Sequence, residues 1–281
     1  MNIHSAYSEG LQCTGGSPEV ACYVINLARD RERFESVSAR LMALDIAFVR
    51  HPAVNGKRHS QLIERSFRRR YFSRAKGRRL TDGEIGCALS HLTVYRRMLR
   101  EGVQKALILE DDAMFAPEFS AFFKQNLNAL LNRFDVIKIE GIFFDHCSTD
   151  AAVLTKAGAV DLVLPLRPTL GSAAYAVTRR GAERLFRACA AMDDPLDVLL
   201  VQYERHGAPY AEARPMLVKQ ADSESVLEAE RVSAERELAA ISFIESLHNR
   251  RRFATRVLMR LLTWVVWTSR ARIGGRALIR R

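Results

Sequence analysis

Three consecutive carboxylates, Glu110, Asp111 and Asp112, follow directly on the apolar run Ala106-Leu107-Ile108-Leu109. The run suits a buried strand. Adjacent anions repel one another, so a fold holds such a cluster where positive charge answers it. Hard divalent cations such as Mg2+ and Mn2+ take carboxylate oxygens and leave positions open for phosphates. The carboxyl end of a strand is also where open α/β sheets bind ligands. The bland alternative is a solvated acidic turn, and the flanking segments argue against it.

Upstream, Val20 to Leu27 reads as a first buried strand, and Asp30 as the cap of a helix whose apolar face is Phe34, Val37, Leu41 and Leu44. Ile46 to Val49 reads as a second strand, giving a parallel βαβ unit. Thr81-Asp82-Gly83-Glu84 fits a capping box ahead of a helix with Ile85, Ala88, Leu89, Leu92, Tyr95 and Leu99 on one face and Gly102 at its end. Beyond the acidic cluster, Pro117 opens a helix that buries Phe119, Phe122 and Phe123. Val136 to Ile139 and Gly171 to Thr178 read as strands, and Arg180 to Cys189 as a helix. The expected architecture is one mixed α/β domain over residues 19–222, after a disordered leader (1–18) and before a helical, basic tail (223–281). The basic stretch 56–80, with eight Arg and Lys residues from Arg65 to Arg79, reads as a solvated surface or as a lid that meets an anionic substrate.

Charge becomes informative once it is located. Ten of the 43 basic residues fall in residues 246–281, which hold no acid, and the other 33 face 32 acidic residues. A near-neutral body argues against a nucleic-acid-binding fold, where basic residues spread over the body surface. Within the tail, Arg252, Arg256, Arg260, Thr263 and Arg270 share one helical face, and Val257, Leu258, Met259, Leu261, Leu262, Trp264, Val265 and Val266 cover the rest. A cationic stripe with a wide apolar face describes a helix lying at a membrane interface, with arginines lacking acidic partners; a helix docked on its own domain is the alternative, and the two are compatible. No run reaches the roughly 18–20 apolar residues of a spanning helix. The leader lacks the apolar core of a signal peptide. The five cysteines (Cys13, Cys22, Cys87, Cys147, Cys189) form no Cys-x-x-Cys pair, so no structural zinc is expected and reduced thiols in a cytoplasmic protein is the plain reading.

Taken in order, five segments resemble glycosyltransferase family 25, the bacterial lipooligosaccharide galactosyltransferases, whose relatives include collagen galactosyltransferase domains. They are Tyr23-Val24-Ile25-Asn26-Leu27 with Arg29 and Arg33; Leu80 to His91 (LTDGEIGCALSH); Leu109 to Asp112; Gly171 to Tyr175; and Pro195-Leu196-Asp197. The resemblance implies a GT-A-like, Rossmann-type domain with a mixed sheet, a UDP-hexose donor (commonly UDP-galactose) and inverting transfer to a saccharide acceptor. Glu110 and Asp112 stand in for the outer residues of an Asp-x-Asp motif, with Asp111 between them. Some GT-A enzymes dispense with a metal, so Mn2+ or Mg2+ follows less firmly than donor binding.

In such a transfer, Asp112, helped by Glu110 or Asp111, would hold the metal that stabilises the departing diphosphate. The base is a carboxylate facing the acceptor. Asp197 is the first choice, with a helix N-cap as its other role and Asp193, Asp194 and Glu140 as alternatives. Donor-site candidates are Asn26, Arg29, Glu84, Ser90, His91, Asp111, Gly171, Ser172 and Gln220. Each also has a structural reading: turn residue for Asn26, surface charge for Arg29, capping-box partner for Glu84, buried hydrogen-bonded imidazole for His91. The functional expectation is a cytoplasmic enzyme, peripheral on the inner membrane face through residues 250–281, extending a lipid-linked saccharide. The alternatives are a metal-dependent sugar-nucleotide hydrolase or phosphotransferase, and a nonenzymatic membrane- or nucleic-acid-binding protein.

Overall fold

The structure, a computed structural model, describes residues 19–57, 72–73, 78–141, 150–189, 193–221 and 258–266. The leader, most of the basic stretch 56–80 and most of the tail lie outside the described residues.

In chain order, β1 (Ala21–Asn26) leads into α1 (Arg31–Ala43) and β2 (Val49–Pro52); a small hairpin of β3 (Phe72–Ser73) and β4 (Arg78–Arg79) precedes α2 (Asp82–Glu101). β5 (Lys105–Glu110) and β6 (Ala113–Phe115) bracket the two aspartates. α3 follows, with α-helical Phe119–Ala121, a π-helical stretch Phe122–Leu127 and α-helical Asn128–Leu130. Then come β7 (Val136–Lys138), β8 (Ala151–Ala157), β9 (Val160–Pro165), β10 (Ala174–Thr178), α4 (Arg179–Cys189), α5 (Leu196–Leu200), α6 (Tyr203–His206), β11 (Tyr210–Arg214) and β12 (Val218–Gln220).

Eight strands form one mixed sheet in the order β2-β1-β5-β10-β7-β11-β9-β8. β2, β1 and β5 run parallel, and antiparallel β10 separates β5 from the β7–β11 pair. Strand alternation sends Cys22, Val24, Leu107 and Leu109 to a core packed on Val37, Leu41 and Phe119, and Tyr23, Ile25, Ala106 and Ile108 to a second core packed on Val94, Met98 and Leu185. Covered on both faces, the middle of β5 from Ala106 to Leu109 has to be apolar, and its leucines and isoleucine each stabilise the fold by about 1.5–3 kcal/mol through burial. The doubly covered sheet is what turns the acidic cluster outward at a strand end.

Local chemistry sets the boundaries. Thr81 Oγ1 accepts from Glu84 N (3.1 Å) and Glu84 Oε2 accepts from Thr81 N (3.0 Å), closing the capping box, and Gly102 ends α2 in the left-handed conformation (φ 72°). Asp30 precedes α1, but its side chain makes no capping bond; its carboxylate lies 3.5 Å from Arg29 Nε. β2 starts three residues later than expected because Asp45 (φ 52°) and Ile46, whose N–H bonds Leu41 O at 3.0 Å, still belong to the helix-ending turn. β10 starts at Ala174, since Gly171 (φ 116°) is in a turn. The hairpin β8–β9 and strands β11 and β12 were not foreseen. β8 is half-exposed, and β11 carries Glu212, an anion that reads as loop until Tyr210 and Thr169 bond it.

Residues 258–266 of the tail are helical. They dock on the domain. The Arg260 guanidinium donates to both Glu204 oxygens (3.1 and 3.0 Å) and lies over the Tyr203 ring, and Trp264 Nε1 donates to Leu164 O at 3.0 Å. Arg260 therefore departs from the expectation of arginines without acidic partners. No helix among the described residues is long and apolar enough to cross a membrane.

Thr81→Ala removes one side of the capping box and should lower stability by about 1 kcal/mol in thermal or urea unfolding, with Thr81→Ser retaining most of it.

Candidate functional site

The ends of β1 and β5 lie side by side, with Ile25 in register with Glu110. This brings Asn26, at the end of one strand, next to the acidic cluster at the end of the other. Asn26 Nδ2 donates to Asp111 Oδ2 (2.6 Å) and to Asp30 O (2.9 Å), while its oxygen accepts from Arg50. The amide thus stitches β1, α1, β2 and the cluster together.

The first half of α2 forms the facing wall. Gly86 lets the chain at 53–57 pack directly on the helix: a Cβ there would meet Gly56 N and Val54 O at 2.8 Å, and one on Gly56 would overlap Asp82 O at 1.7 Å. Ser90 Oγ seals the contact, accepting from Val54 N (2.8 Å) and donating to Gly86 O (2.6 Å). Between these walls opens a cleft of about 200 Å³. Its cations are Arg29, Arg33 and Lys57, and its anions are Asp30, Glu110, Asp111 and Asp112. Gln220 enters from β12, which pairs with β6 so that Gln220 is opposite Ala113, and Ala221 N bonds Asp112 O at 2.8 Å.

The three carboxylates diverge. Arg33 Nη2 spans Asp111 Oδ1 (2.6 Å) and Asp112 Oδ2 (2.8 Å). Glu110 turns the other way, accepting from Ser172 Oγ at 2.7 Å, with His91 Nε2 at 3.4 Å and Cys87 Sγ at 3.8 Å from the same oxygen. Burial pushes the Glu110 carboxyl up, but the His91 imidazole, the Ser172 hydroxyl and Arg33 together bring it below the ordinary range. Burial raises Asp111 against the pull of Asn26 and Arg33. Asp112 is pushed up to about 7 by burial and then by the charge of Glu110, with Arg33 opposing. Its Oδ1 is buried with no hydrogen-bond partner. A carboxylate this poorly compensated is a fit for a hard cation, which would restore its charged form.

Beyond Glu110 sits a second anionic group. Glu140 is buried against Lys138, itself fully buried, at 2.6 Å. Burial raises its carboxyl, Lys138 opposes, and the charges of Glu110 and Asp197 push it further up. Asp197 is half-buried in the first turn of α5 and accepts from Val198 N at 2.9 Å. The N-cap position of that helix is Pro195, which makes no side-chain cap bond, and Asp197 instead satisfies a first-turn N–H, that of Val198.

A family model described as glycosyltransferase family 25 (LPS biosynthesis protein) matches residues 20–200, the stretch that builds the cleft. The chain belongs to glycosyltransferase family 25. It is similar to a glycosyltransferase 25 family member of Drosophila melanogaster (29% identity over 196 residues, 66% of this chain and 31% of the fly protein). Procollagen galactosyltransferase 1-B of Xenopus laevis shows 29% identity over 201 residues (66% and 31%), and procollagen galactosyltransferase 2 of Mus musculus 30% over 211 residues (68% and 31%). The chain spans about a third of the length of these relatives. Among solved structures, the inositol-1-phosphate CTP transferase from T. maritima overlays with a TM-score of 0.38 at 12% identity over 80% of this chain and 99% of that one, too loose to argue from.

Of the residues singled out in this family 25 sequence, Asn26, Arg29, Ser90, His91, Glu110, Asp111, Asp112 and Gln220 line the cleft. Glu84, Gly171, Ser172 and Asp197 are outside that lining. Glu84 is buried at the start of α2, its carboxylate in the capping box; Ser172 reaches the site through Glu110; Gly171 backs onto Glu140. Cys87, Gly86, Arg50 and the segment 53–57 escaped the sequence reading of the site. Cys87 and His91 carried a signal, four residues apart on one helical face, whereas the 53–57 contact arises from glycine packing that no periodicity records.

Gly171 combines φ 116° with a Cβ position 2.3 Å from both Glu140 oxygens. Gly171→Ala should therefore lose about 2 kcal/mol or more in chemical denaturation, from backbone strain and displacement of the Lys138–Glu140 pair. Unchanged stability would mean that Glu140 moves aside freely.

Proposed function

We propose that this chain is an inverting glycosyltransferase of GT-A type that takes a hexose, galactose first, from a UDP donor and delivers it to a saccharide of lipooligosaccharide or a related surface glycan. The observation that carries the reading is the cleft at the ends of parallel β1 and β5, where a buried, undercompensated Asp112 faces Arg29, Arg33 and Lys57. Such a mixture suits a diphosphate: cations take its charge, and the carboxylates take what travels with it. A divalent cation on Asp112, with Asp111 as a second ligand and Glu110 turned instead toward α2, would supply Lewis-acid stabilisation of the departing diphosphate. Galactosyl transfer is named for the frog and mouse relatives and LPS biosynthesis in the family's description; the sugar proposed for this chain follows the first and the acceptor class the second.

The chain's own groups divide the remaining work. Arg33 now bridges Asp111 and Asp112 and, being half-exposed, can turn to a phosphate when the donor enters. Asn26 holds Asp111 in place for either partner. For the proton of the acceptor hydroxyl, Asp193 is tied to Arg205 at 2.5 Å, Asp194 is fully buried beside the same arginine, and Glu140 is locked on Lys138. Asp197 is half-buried, close enough to Glu140 to raise its carboxyl, and is the base this reading assigns.

Calorimetric titration of UDP and UDP-galactose, with and without Mn2+, tests the donor site. Metal-dependent binding that Asp112→Asn abolishes is expected, together with galactose transfer that Asp197→Ala stops without weakening donor binding. UDP release with no acceptor present would favour a hydrolase, and absence of binding to either ligand would sink the assignment.

The tail gives this enzyme a place to work. Helix 258–266 leaves Leu258, Met259, Leu261, Leu262, Val265 and Val266 exposed between arginine-rich flanks. That composition suits the anionic face of a membrane, where a lipid-linked acceptor is found, and supports reading the protein as peripheral on the cytoplasmic side. Deleting residues 250–281 should reduce sedimentation with anionic vesicles while sparing transfer to a soluble acceptor analogue. Undiminished sedimentation of the deletion would rule the anchor out.

A further inference from the structure

We propose that Cys87, His91 and Glu110 form a binding site for a borderline divalent cation of the Zn2+ class, distinct from the Asp111–Asp112 carboxylates. The inference rests on the geometry of these side chains and not on the glycosyltransferase reading.

Cys87 and His91 are one turn apart on α2 and project from the same face toward the end of β5. His91 Nε2 lies 3.4 Å and Cys87 Sγ 3.8 Å from the same oxygen of Glu110, and all three ligand atoms fall within 4.8 Å of one another. Tetrahedral zinc, with bonds of about 2.0–2.3 Å, sets its N, O and S ligands roughly 3.3–3.6 Å apart, so the observed spacings need only small side-chain shifts.

The imidazole supplies a second, independent pointer. His91 is 1% exposed, and its Nε2 makes no hydrogen bond; the nearest acceptor, a Glu110 oxygen, is 3.4 Å away. The other nitrogen, Nδ1, is 2.8 Å from the Tyr175 hydroxyl, which is in turn 2.5 Å from that of Tyr95. An imidazole whose far nitrogen is fixed by a buried hydroxyl, with the near one unsatisfied, is how proteins orient a histidine toward a metal. Thiolate and imidazole favour zinc over the Mg2+ and Mn2+ that carboxylates take. Binding would release the Cys87 thiol proton and leave thiolate, carboxylate and dication at net zero. Because all three residues line the cleft, the fourth coordination position faces it and is open to water or to an anionic oxygen of a ligand, the pattern of an exchangeable site.

Titrating chelator-stripped full-length protein with Co2+, and with Zn2+ against a chromophoric chelator, reads the site without any substrate. One equivalent of Co2+ should give a thiolate-to-cobalt charge-transfer band. That band should vanish in Cys87→Ser, and Zn2+ affinity should fall by roughly tenfold or more in His91→Gln and in Tyr175→Phe. Asp112→Asn should leave the cobalt spectrum unchanged. Circular dichroism of each variant confirms folding, and the near-isosteric Cys87→Ser decides the matter if His91→Gln unfolds. A wild-type protein with no thiolate band would overturn the proposal. So would a band that survives Cys87→Ser or disappears in Asp112→Asn, since the ion would then sit on other ligands.

Discussion

Accumulated negative charge at the end of β5 is the constraint around which the rest of this molecule is arranged. Three carboxylates in a row would repel one another if they faced the same way. They do not, because each meets a different element: Glu110 meets α2 and Ser172, Asp111 meets the Asn26 amide, and Asp111 and Asp112 share Arg33 of α1. Partial burial makes each of these contacts matter more, since screening by water is reduced. It also leaves Asp112 incompletely answered, its Oδ1 buried without a hydrogen-bond partner.

The walls that make burial possible come from backbone packing. Gly86 and Gly56 allow the chain after β2 to touch α2 without an intervening side chain, and Ser90 closes the contact. On the other side, Gly171 lets the chain before β10 press onto the Lys138–Glu140 pair. The first contact forms a wall of the cleft itself, and the second lies beyond its lining. The docked turn of the tail has a comparable double character: Arg260 and Trp264 face the domain through polar bonds, while the leucines and valines between them face outward.

Much of the frame was legible beforehand because it depends on local pattern. The apolar run of β5, the capping box of α2, the glycine that ends it and the helix after β10 are each written in fewer than about twenty residues, and short-range sterics and hydrogen bonds are sufficient to specify them. The eightfold mixed order of the sheet was not legible. β8 is half-exposed and β11 contains a buried Glu212, so neither shows the apolar signature of a strand; partners distant in sequence, Tyr210 and Thr169 for Glu212, supply what the strand itself lacks. Asp197 illustrates the same limit: Pro195 takes the N-cap position, and the Asp197 carboxylate bonds the N–H of Val198 within the first turn.

The sequence by itself determined that this chain has a mixed α/β core and an acidic cluster at a strand end, because burial and charge are properties of residue type and spacing. Its ordered motifs likewise pointed to glycosyltransferase family 25. The tertiary structure alone decided which cation or donor each carboxylate meets. It set Arg33 against two aspartates and turned Glu110 toward Cys87 and His91. Those pairings depend on distances of a few ångströms between segments tens of residues apart, and no spacing along the chain encodes them.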